Sequence, residues 1–492
     1  MSIINLAGRF VSMFVGIFIA KILGPVSYGV LGVANLIIKY LGYFDLGSLK
    51  CLTRNATIEI GKNDINSSNK IKDTIFTFQL IVIFSSSILF LFYFILGFNI
   101  KDLLNINLVV LIVLAFITNK FYSYLYSLIK IDGKFNLLKR VQVLEKIILP
   151  LLLIALVYFF KVEGVLLAIT FNNIIKTIFL HFNFDSIRTK LRFNIHDTKE
   201  QLKTSIQLYF NGFGESILLS LGTLFATFFL ETIEIGIYVF AAGFISTKKV
   251  PFADPINIYI KREILINKVD YQNLKEAPKI LNYPLTLYVL FHALIFGFLL
   301  LFYNSFTKVY LTDFKSSIIP MIILLWGYLT FISNVFFRMI LDANDKLNDI
   351  LKAYLFGIII SLIFLFLFKN NLNVNYIAIS CSLGFFGVTT YFNFKIAKII
   401  KRSFVDVLIV MFKILLVSSI SLLMIYVLKD LIFFEKLFYE YQYADYFKEF
   451  LNLIARVLIL TFSLFLVFYI IYFNQNLGNH LINFIKILKN KN

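Results

Sequence analysis

The sequence predicts an all-α, polytopic membrane protein of about 14 transmembrane helices, built as two pseudo-symmetric six-helix lobes plus two C-terminal helices. Long apolar stretches fill the 492 residues from end to end, 59% of the residues are hydrophobic, and the basic residues crowd into every second gap between stretches. A soluble protein averages about 45–50% apolar residues, so the surplus belongs against lipid. An apolar run of about 20 residues crosses the roughly 30 Å hydrocarbon core as a helix.

The stretches fall at 3–22, 28–50, 74–97, 107–129, 141–160, 163–183, 204–229, 233–250, 280–303, 316–337, 350–368, 375–395, 405–428 and 450–473. Six alternate gaps and the tail 474–492 hold 30 of the 47 Lys and Arg residues, whereas the opposite gaps hold 8. Short loops rich in Lys and Arg stay cytoplasmic, so both termini are expected inside the cell. The first stretch contains Arg9 and ends without a small-x-small cleavage site, which marks a retained helix rather than a signal peptide. The inward gap 248–279 holds Pro251, Pro255 and an amphipathic stretch at 256–268 suited to the membrane interface. No soluble domain is expected on either side. The net charge of +19 is spread over these short loops, so it is read as a topogenic signal and no nucleic-acid partner is expected. Cys51 and Cys381 lie far apart and form no disulfide or metal spacing.

An internal repeat sets the domain organisation. Leu23-Gly24-Pro25-Val26-Ser27-Tyr28-Gly29-Val30 with Ala34 aligns, 207 residues on, with Leu230-Glu231-Thr232-Ile233-Glu234-Ile235-Gly236-Ile237 with Ala241. At the same offset Arg54 meets Lys261. Each segment joins a helix to its successor by a very short outward turn, so the seventh helix starts a second copy of the first six in the same orientation. The expected units are an N-terminal lobe at 1–203, a C-terminal lobe at 204–403 and two extra helices with a tail at 404–492. Parallel repeats of this kind are a secondary-transporter plan with the site between the lobes.

Charges inside the membrane point to that site, because each costs several kcal/mol unless it meets a cavity or a partner. In the second stretch Lys39, Lys50 and Arg54 lie eleven and four residues apart, a spacing that returns to within about 20° on a helix. Lys50 and Arg54 near the inner end either join this stripe or snorkel to headgroups. The first stretch places Asn5, Arg9, Ser12 and Gly16 on one face, the fourth offers Lys120, Tyr124 and Ser127, and the sixth Asn172 and Lys176. Lys146 beside Glu145 reads as a structural pair. Gln207, Asn211 and Glu215 share a face of the seventh stretch. Glu215 and Asp45 are either coupling-ion sites or structural counter-ions to Arg9 or Lys39. Lys413, Arg456, His181 and His292 read as packing or interface residues. A cavity lined by cations suits an anionic head group. The sequence holds no catalytic constellation, Walker loop, nucleophile elbow or metal cluster, so no enzyme, metal or cofactor is expected beyond a coupling H+ or Na+.

Several motifs resemble one family. Leu23-Gly24-Pro25-x-x-Tyr28-Gly29 is similar to the turn after the first helix of Wzx-type polysaccharide flippases, of the multidrug/oligosaccharidyl-lipid/polysaccharide exporter superfamily. The stretch from Leu41-Gly42 through Leu46-Gly47 to Arg54, the turn Glu234-x-Gly236-x-Tyr238-x-x-Ala241-Ala242 and the loop Leu341-x-Ala343-Asn344-Asp345-Lys346 resemble that family in order and spacing. The resemblance spans essentially the whole chain. It implies an inner-membrane protein that flips undecaprenyl-pyrophosphate-linked oligosaccharide by alternating access, for O-antigen or capsule. Membrane lipids and a polysaccharide polymerase or chain-length protein would be its further partners. Arg9, Lys39, Arg54, Lys120 and Lys176 would then bind the cargo, with Asp45 and Glu215 for coupling. Many relatives carry an acid late in the seventh helix, where this chain reads Leu221-Gly222-Thr223-Leu224. Two other readings are a cation-coupled multidrug antiporter, which would need an acid-dominated cavity, and a membrane polymerase or acyltransferase, which would need a sizeable outward loop.

Overall fold

The protein is described by a computed structural model covering residues 2–96, 103–184, 189–192, 194–246, 277–332, 334–343, 346–400, 416, 419–420, 423–431 and 444–472. These residues are helical almost throughout, with no strand among them. Eight of the described helices are long and apolar enough to cross a membrane, so the chain is a multi-pass, all-α membrane protein. The stretches at 256–268 and 474–492, Lys413 and most of 405–422 lie outside the described residues.

Helix α1 (Ser2–Gly42) is two helices joined at Gly24, whose φ of 65° and ψ of 173° break the run. Gly24 takes the left-handed φ at no steric cost, and Pro25 then opens the next helix with its fixed φ. This is the short turn expected after the first stretch. Helix α2 (Ser48–Gly61), α3 (Ile65–Ile95) and α4 (Ile106–Ile131) follow. Helix α5 (Phe135–Asn183) has 49 residues, which would be about 74 Å if straight, more than twice the hydrocarbon core. It breaks at Lys161 (φ 49°), and Gly164 packs against the carbonyl of Leu156. Eight residues of straight helix would hold these about 12 Å apart, so the chain reverses here. The first half of α5 exposes Ile147, Leu151, Ile154, Tyr158 and Phe159, an apolar face of the kind lipid covers.

Helix α6 (Ile195–Phe229) and α7 (Thr232–Ser246) are separated by Leu230 and Glu231 alone. Further on come α8 (Ala277–Val309), α9 (Ile318–Ile332), α10 (Asn334–Ala343), α11 (Leu347–Leu367), α12 (Val374–Ile400) and α13 (Ala444–Tyr472). The chain forms two compact units, Met1–Thr247 with Ile350–Cys381, and Lys248–Asp349 with Ser382–Asn492.

In the first unit α1 packs against α4, α5 and α7. An apolar core gathers Val15, Ile19, Leu31, Ile112, Phe116 and Leu166, and another gathers Leu52, Ile75, Leu128, Val141 and Phe184. The α1–α7 seam joins the two repeat motifs. A Cβ on Gly29 would meet the Thr232 carbonyl and lie 2.9 Å from the Gly236 amide nitrogen, and one on Gly236 would strike the Pro25 carbonyl. One turn further Gly32 faces the side chain of Val239. Gly29 with Gly236 and Gly32 with Val239 are each 207 residues apart, the repeat offset, so equivalent residues of the two copies touch.

The second unit is knit by polar contacts. Ser382 donates to the Ile323 carbonyl at 2.7 Å, and Asn334 bonds Thr389 at 3.1 Å. Arg456 is fully buried, donating to the Leu431 carbonyl at 2.9 and 2.7 Å, to Glu449 at 2.7 Å and to Ser305 at 3.2 Å. This is the packing role read from the sequence. His292 is buried, whereas His181 is exposed beside the ring of Phe182.

Candidate functional site

Lys120 and Asp45, a buried and a half-buried charge of the first unit, meet at the C-terminal end of α1. That helix stops at Gly42, a 3-10 turn runs Tyr43–Asp45, and Leu46 (φ 48°) and Gly47 (φ 75°) turn the chain into α2. The Asp45 carboxylate fixes this turn by accepting from the Gly47 amide at 2.9 Å, the local bond that Asp side chains favour in turns. This corrects one expectation. The stretch 28–50 is not one helix, so Lys39 lies on α1 while Lys50 and Arg54 lie on α2, and the three form no continuous stripe.

The other Asp45 oxygen accepts from Lys120 Nζ at 2.7 Å, and Lys120 also donates to the Gly42 carbonyl at 2.9 Å. Lys120 is 7% exposed, with its ammonium 5.9 Å from the centre of the Phe116 ring. A predicted cargo cation and a predicted coupling acid are therefore ion-paired to each other. Ammonium and carboxylate have both left water here, and their attraction offsets that desolvation only because each keeps a further hydrogen bond.

A second group zips α1 to α6. Lys39 Nζ donates to the Ser216 carbonyl at 2.8 Å, Tyr43 OH to Ser216 Oγ at 2.6 Å, and Tyr40 lies 3.4 Å from Ser220 Oγ. Tyr209 OH donates to the Tyr43 carbonyl at 3.0 Å, and the rings of Tyr209 and Phe213 stack at 4.7 Å. Ser205 donates to the Leu46 carbonyl at 2.8 Å, and Lys50 Nζ lies beside Gly212. Arg54 is exposed on α2, one residue before Asn55, which donates to Gln201 at 2.8 Å. Glu215 is half-buried between Gly214, packed on Tyr354, and Ser216. The side chains of Arg9, Gln207 and Asn211 lie outside the described residues.

A third group joins the two halves of α5 to α4. Lys176, 3% exposed, bonds Glu145 at 3.1 Å and lies 3.9 Å from the centre of the Tyr122 ring. Glu145 thus pairs with Lys176 rather than with its neighbour Lys146, whose side chain runs along Gly8. Successive helical residues point about 100° apart and do not face each other. Asn172, one turn from Lys176, is buried with its Oδ1 lacking a hydrogen-bond partner. No group of three or more metal-ligating side chains occurs among the described residues.

Sequence reasoning missed Glu145 as the partner of Lys176 and the Tyr43–Tyr209–Ser216 cluster. Traces of the latter are Tyr43 itself, which extends the stripe read from Lys39, and the four-residue spacing of Tyr209 with Phe213 and of Ser216 with Ser220, which marks one face of α6 without naming its neighbour.

Residues 18–257 match the family model described as "Polysaccharide biosynthesis protein". No curated protein sequence matches the chain. Among solved structures, the lipid II flippase MurJ in an inward closed conformation aligns with a TM-score of 0.66 at 16% identity, covering 96% of this chain and 98% of that one. An inward-facing multidrug resistance MATE family transporter of the MOP superfamily aligns with a TM-score of 0.63 at 14% identity, covering 81% of this chain and 98% of that one. An outward-facing MATE transporter aligns with a TM-score of 0.53 at 14% identity, covering 82% and 96%. Residues 18–257 are thus similar to the polysaccharide biosynthesis protein family, on a chain that shares the fold of these transporters.

Proposed function

We propose that the chain is a flippase that moves undecaprenyl-pyrophosphate-linked oligosaccharide from the inner to the outer leaflet of the cytoplasmic membrane by alternating access, supplying O-antigen or capsule assembly. One coincidence carries this reading. The segment that matches the polysaccharide biosynthesis family also holds Lys120 and Lys176 buried, and Lys39 half-buried, inside apolar helices. Such cations are costly in a bilayer and are kept where they serve a site.

In this reading Arg9, Lys39, Arg54, Lys120 and Lys176 bind pyrophosphate and glycan through charge-assisted hydrogen bonds. The lipid tail stays among the apolar helix faces, and Asp45 and Glu215 take the coupling H+ or Na+. The chain transports rather than catalyses, has both termini in the cytoplasm, and hands its cargo to a polymerase and chain-length partner. Lys39→Ala and Arg54→Ala, each expressed in the native host, test it. Surface polysaccharide is expected to disappear while the protein stays at its normal level in the membrane. Wild-type glycan in both mutants overturns the cationic site.

A further inference from the structure

We infer that the anion site is switched by ion-pair exchange at Asp45–Lys120: the pyrophosphate takes Lys120 from Asp45, and Asp45 takes up a proton. This deepens the flippase reading and rests on it. Lys120 Nζ has two bonds to the protein, to Asp45 Oδ2 at 2.7 Å and to the Gly42 carbonyl at 2.9 Å. The side chains of Lys120 and Asp45 are 8% and 14% exposed, so the pair is neutral as a unit and little screened by water. An incoming phosphate oxygen that reached Lys120 while Asp45 stayed ionised would place two anions on one buried cation. Like charges at such a site oppose each other strongly, and one is neutralised instead.

Lys120 is the cation bonded to the Asp45 carboxylate. From α6, Tyr209 lies within electrostatic reach of Asp45 and bonds the Tyr43 carbonyl. From α3, the neutral Gln79 bonds Ser48. From α4 come Lys120 and the Phe116 ring. On α2, Lys50 is directed at Gly212. Asp45 Oδ1 keeps its bond from the Gly47 amide, so Oδ2 is the oxygen that Lys120 vacates and the proton occupies. The exchange balances. Lys120 remains an ammonium and transfers a hydrogen bond from carboxylate to phosphate, and one proton from solvent converts the Asp45 carboxylate to the acid. Cargo and proton then enter together, and the pair re-forms when both leave.

The test uses the full-length chain in nanodiscs, with inorganic pyrophosphate as the probe. Calorimetric titrations in buffers of different ionisation enthalpy count the protons taken up. The ligand's own protonation is common to every variant and cancels in the comparison. Wild type is expected to take up about one proton more than Asp45→Asn, and the ratio of their affinities should change by about tenfold per pH unit in the linked range. Equal proton uptake by two proteins that both bind overturns the exchange and leaves the anion site standing. Absence of pyrophosphate binding by wild type overturns the flippase reading and the exchange together. Should Asp45→Asn fail to fold, the pair of substitutions Asp45→Asn with Lys120→Gln removes both buried charges. It is expected to bind weakly and to lose the extra proton, and wild-type uptake in it refutes the inference.

Discussion

Replacing Arg456 with methionine separates a structural cation from the cations proposed to bind cargo. Its guanidinium is fully buried and makes four hydrogen bonds: two to the Leu431 carbonyl, one to Glu449 and one to Ser305. Methionine fills much of the volume but donates nothing, and Glu449, with a side chain only 16% exposed, loses its counter-ion. Removing one partner of a buried pair costs about 3–5 kcal/mol. Glu449→Gln keeps an acceptor near Arg456 and loses a charge-assisted bond, about 1.5–3 kcal/mol. The double substitution should cost less than the sum by about 1–3 kcal/mol, because the second change removes the stranded carboxylate that the first creates. Denaturant unfolding of the purified full chain gives all three values in one cycle. A loss below about 0.5 kcal/mol for Arg456→Met, or strict additivity, refutes the clamp. The proposed flipping, per folded molecule, should not change, in contrast to Lys39→Ala.

Two further expectations concern the first unit. Gly236→Ala drives a Cβ into the Pro25 carbonyl and should lower stability by about 1–3 kcal/mol. Gly16→Ala, which meets nothing within 4 Å, should be neutral or stabilising in a thermal melt, and equal melts for the two would refute the seam. Asp64 caps α3 by accepting from the Ser67 amide at 2.9 Å and the Ser67 hydroxyl at 2.7 Å, and these bonds hold its carboxyl below the ordinary value. A carboxyl lowered by folding stabilises above its unfolded range, and the cap is lost as pH falls through its folded value. Amide exchange at the start of α3 should therefore speed up in acid beyond its intrinsic rate. Asp64→Ala should remove that excess, and an excess of the same size in the variant would refute the cap.

The helical plan was legible because lipid imposes it: apolar runs of a fixed length, and turns at Gly24-Pro25 and at Leu230-Glu231 that a reader sees as punctuation. The break after Gly42 was not. Leu41-Gly42-Tyr43-Phe44-Asp45-Leu46-Gly47 is apolar, lacks proline and keeps helical spacing, so hydropathy runs through it. What ends the helix is a positive φ at Leu46 and Gly47 and a carboxylate that closes the turn locally. The pairs Asp45–Lys120 and Lys176–Glu145 were invisible for a different reason. Their members are 75 and 31 residues apart, and packing, not periodicity, brings them together. Lys39, Lys120 and Lys176 could be picked out as cations within apolar helices; which acid or carbonyl each would meet could not.

The repeat and the charges obey different rules. Residues equivalent in sequence can touch only beside an axis relating two copies, and Gly29 with Gly236 and Gly32 with Val239 touch at the repeat offset within the first unit. A residue on an axis meets its own counterpart, which leaves room there for a glycine backbone and little else. Away from the axis nothing requires the copies to agree. At the repeat offset Lys39 falls on Ser246 and Asp45 on Phe252, so the second copy keeps the seam and lacks these charges. The repeat is therefore kept at the glycine contact and not at these charges.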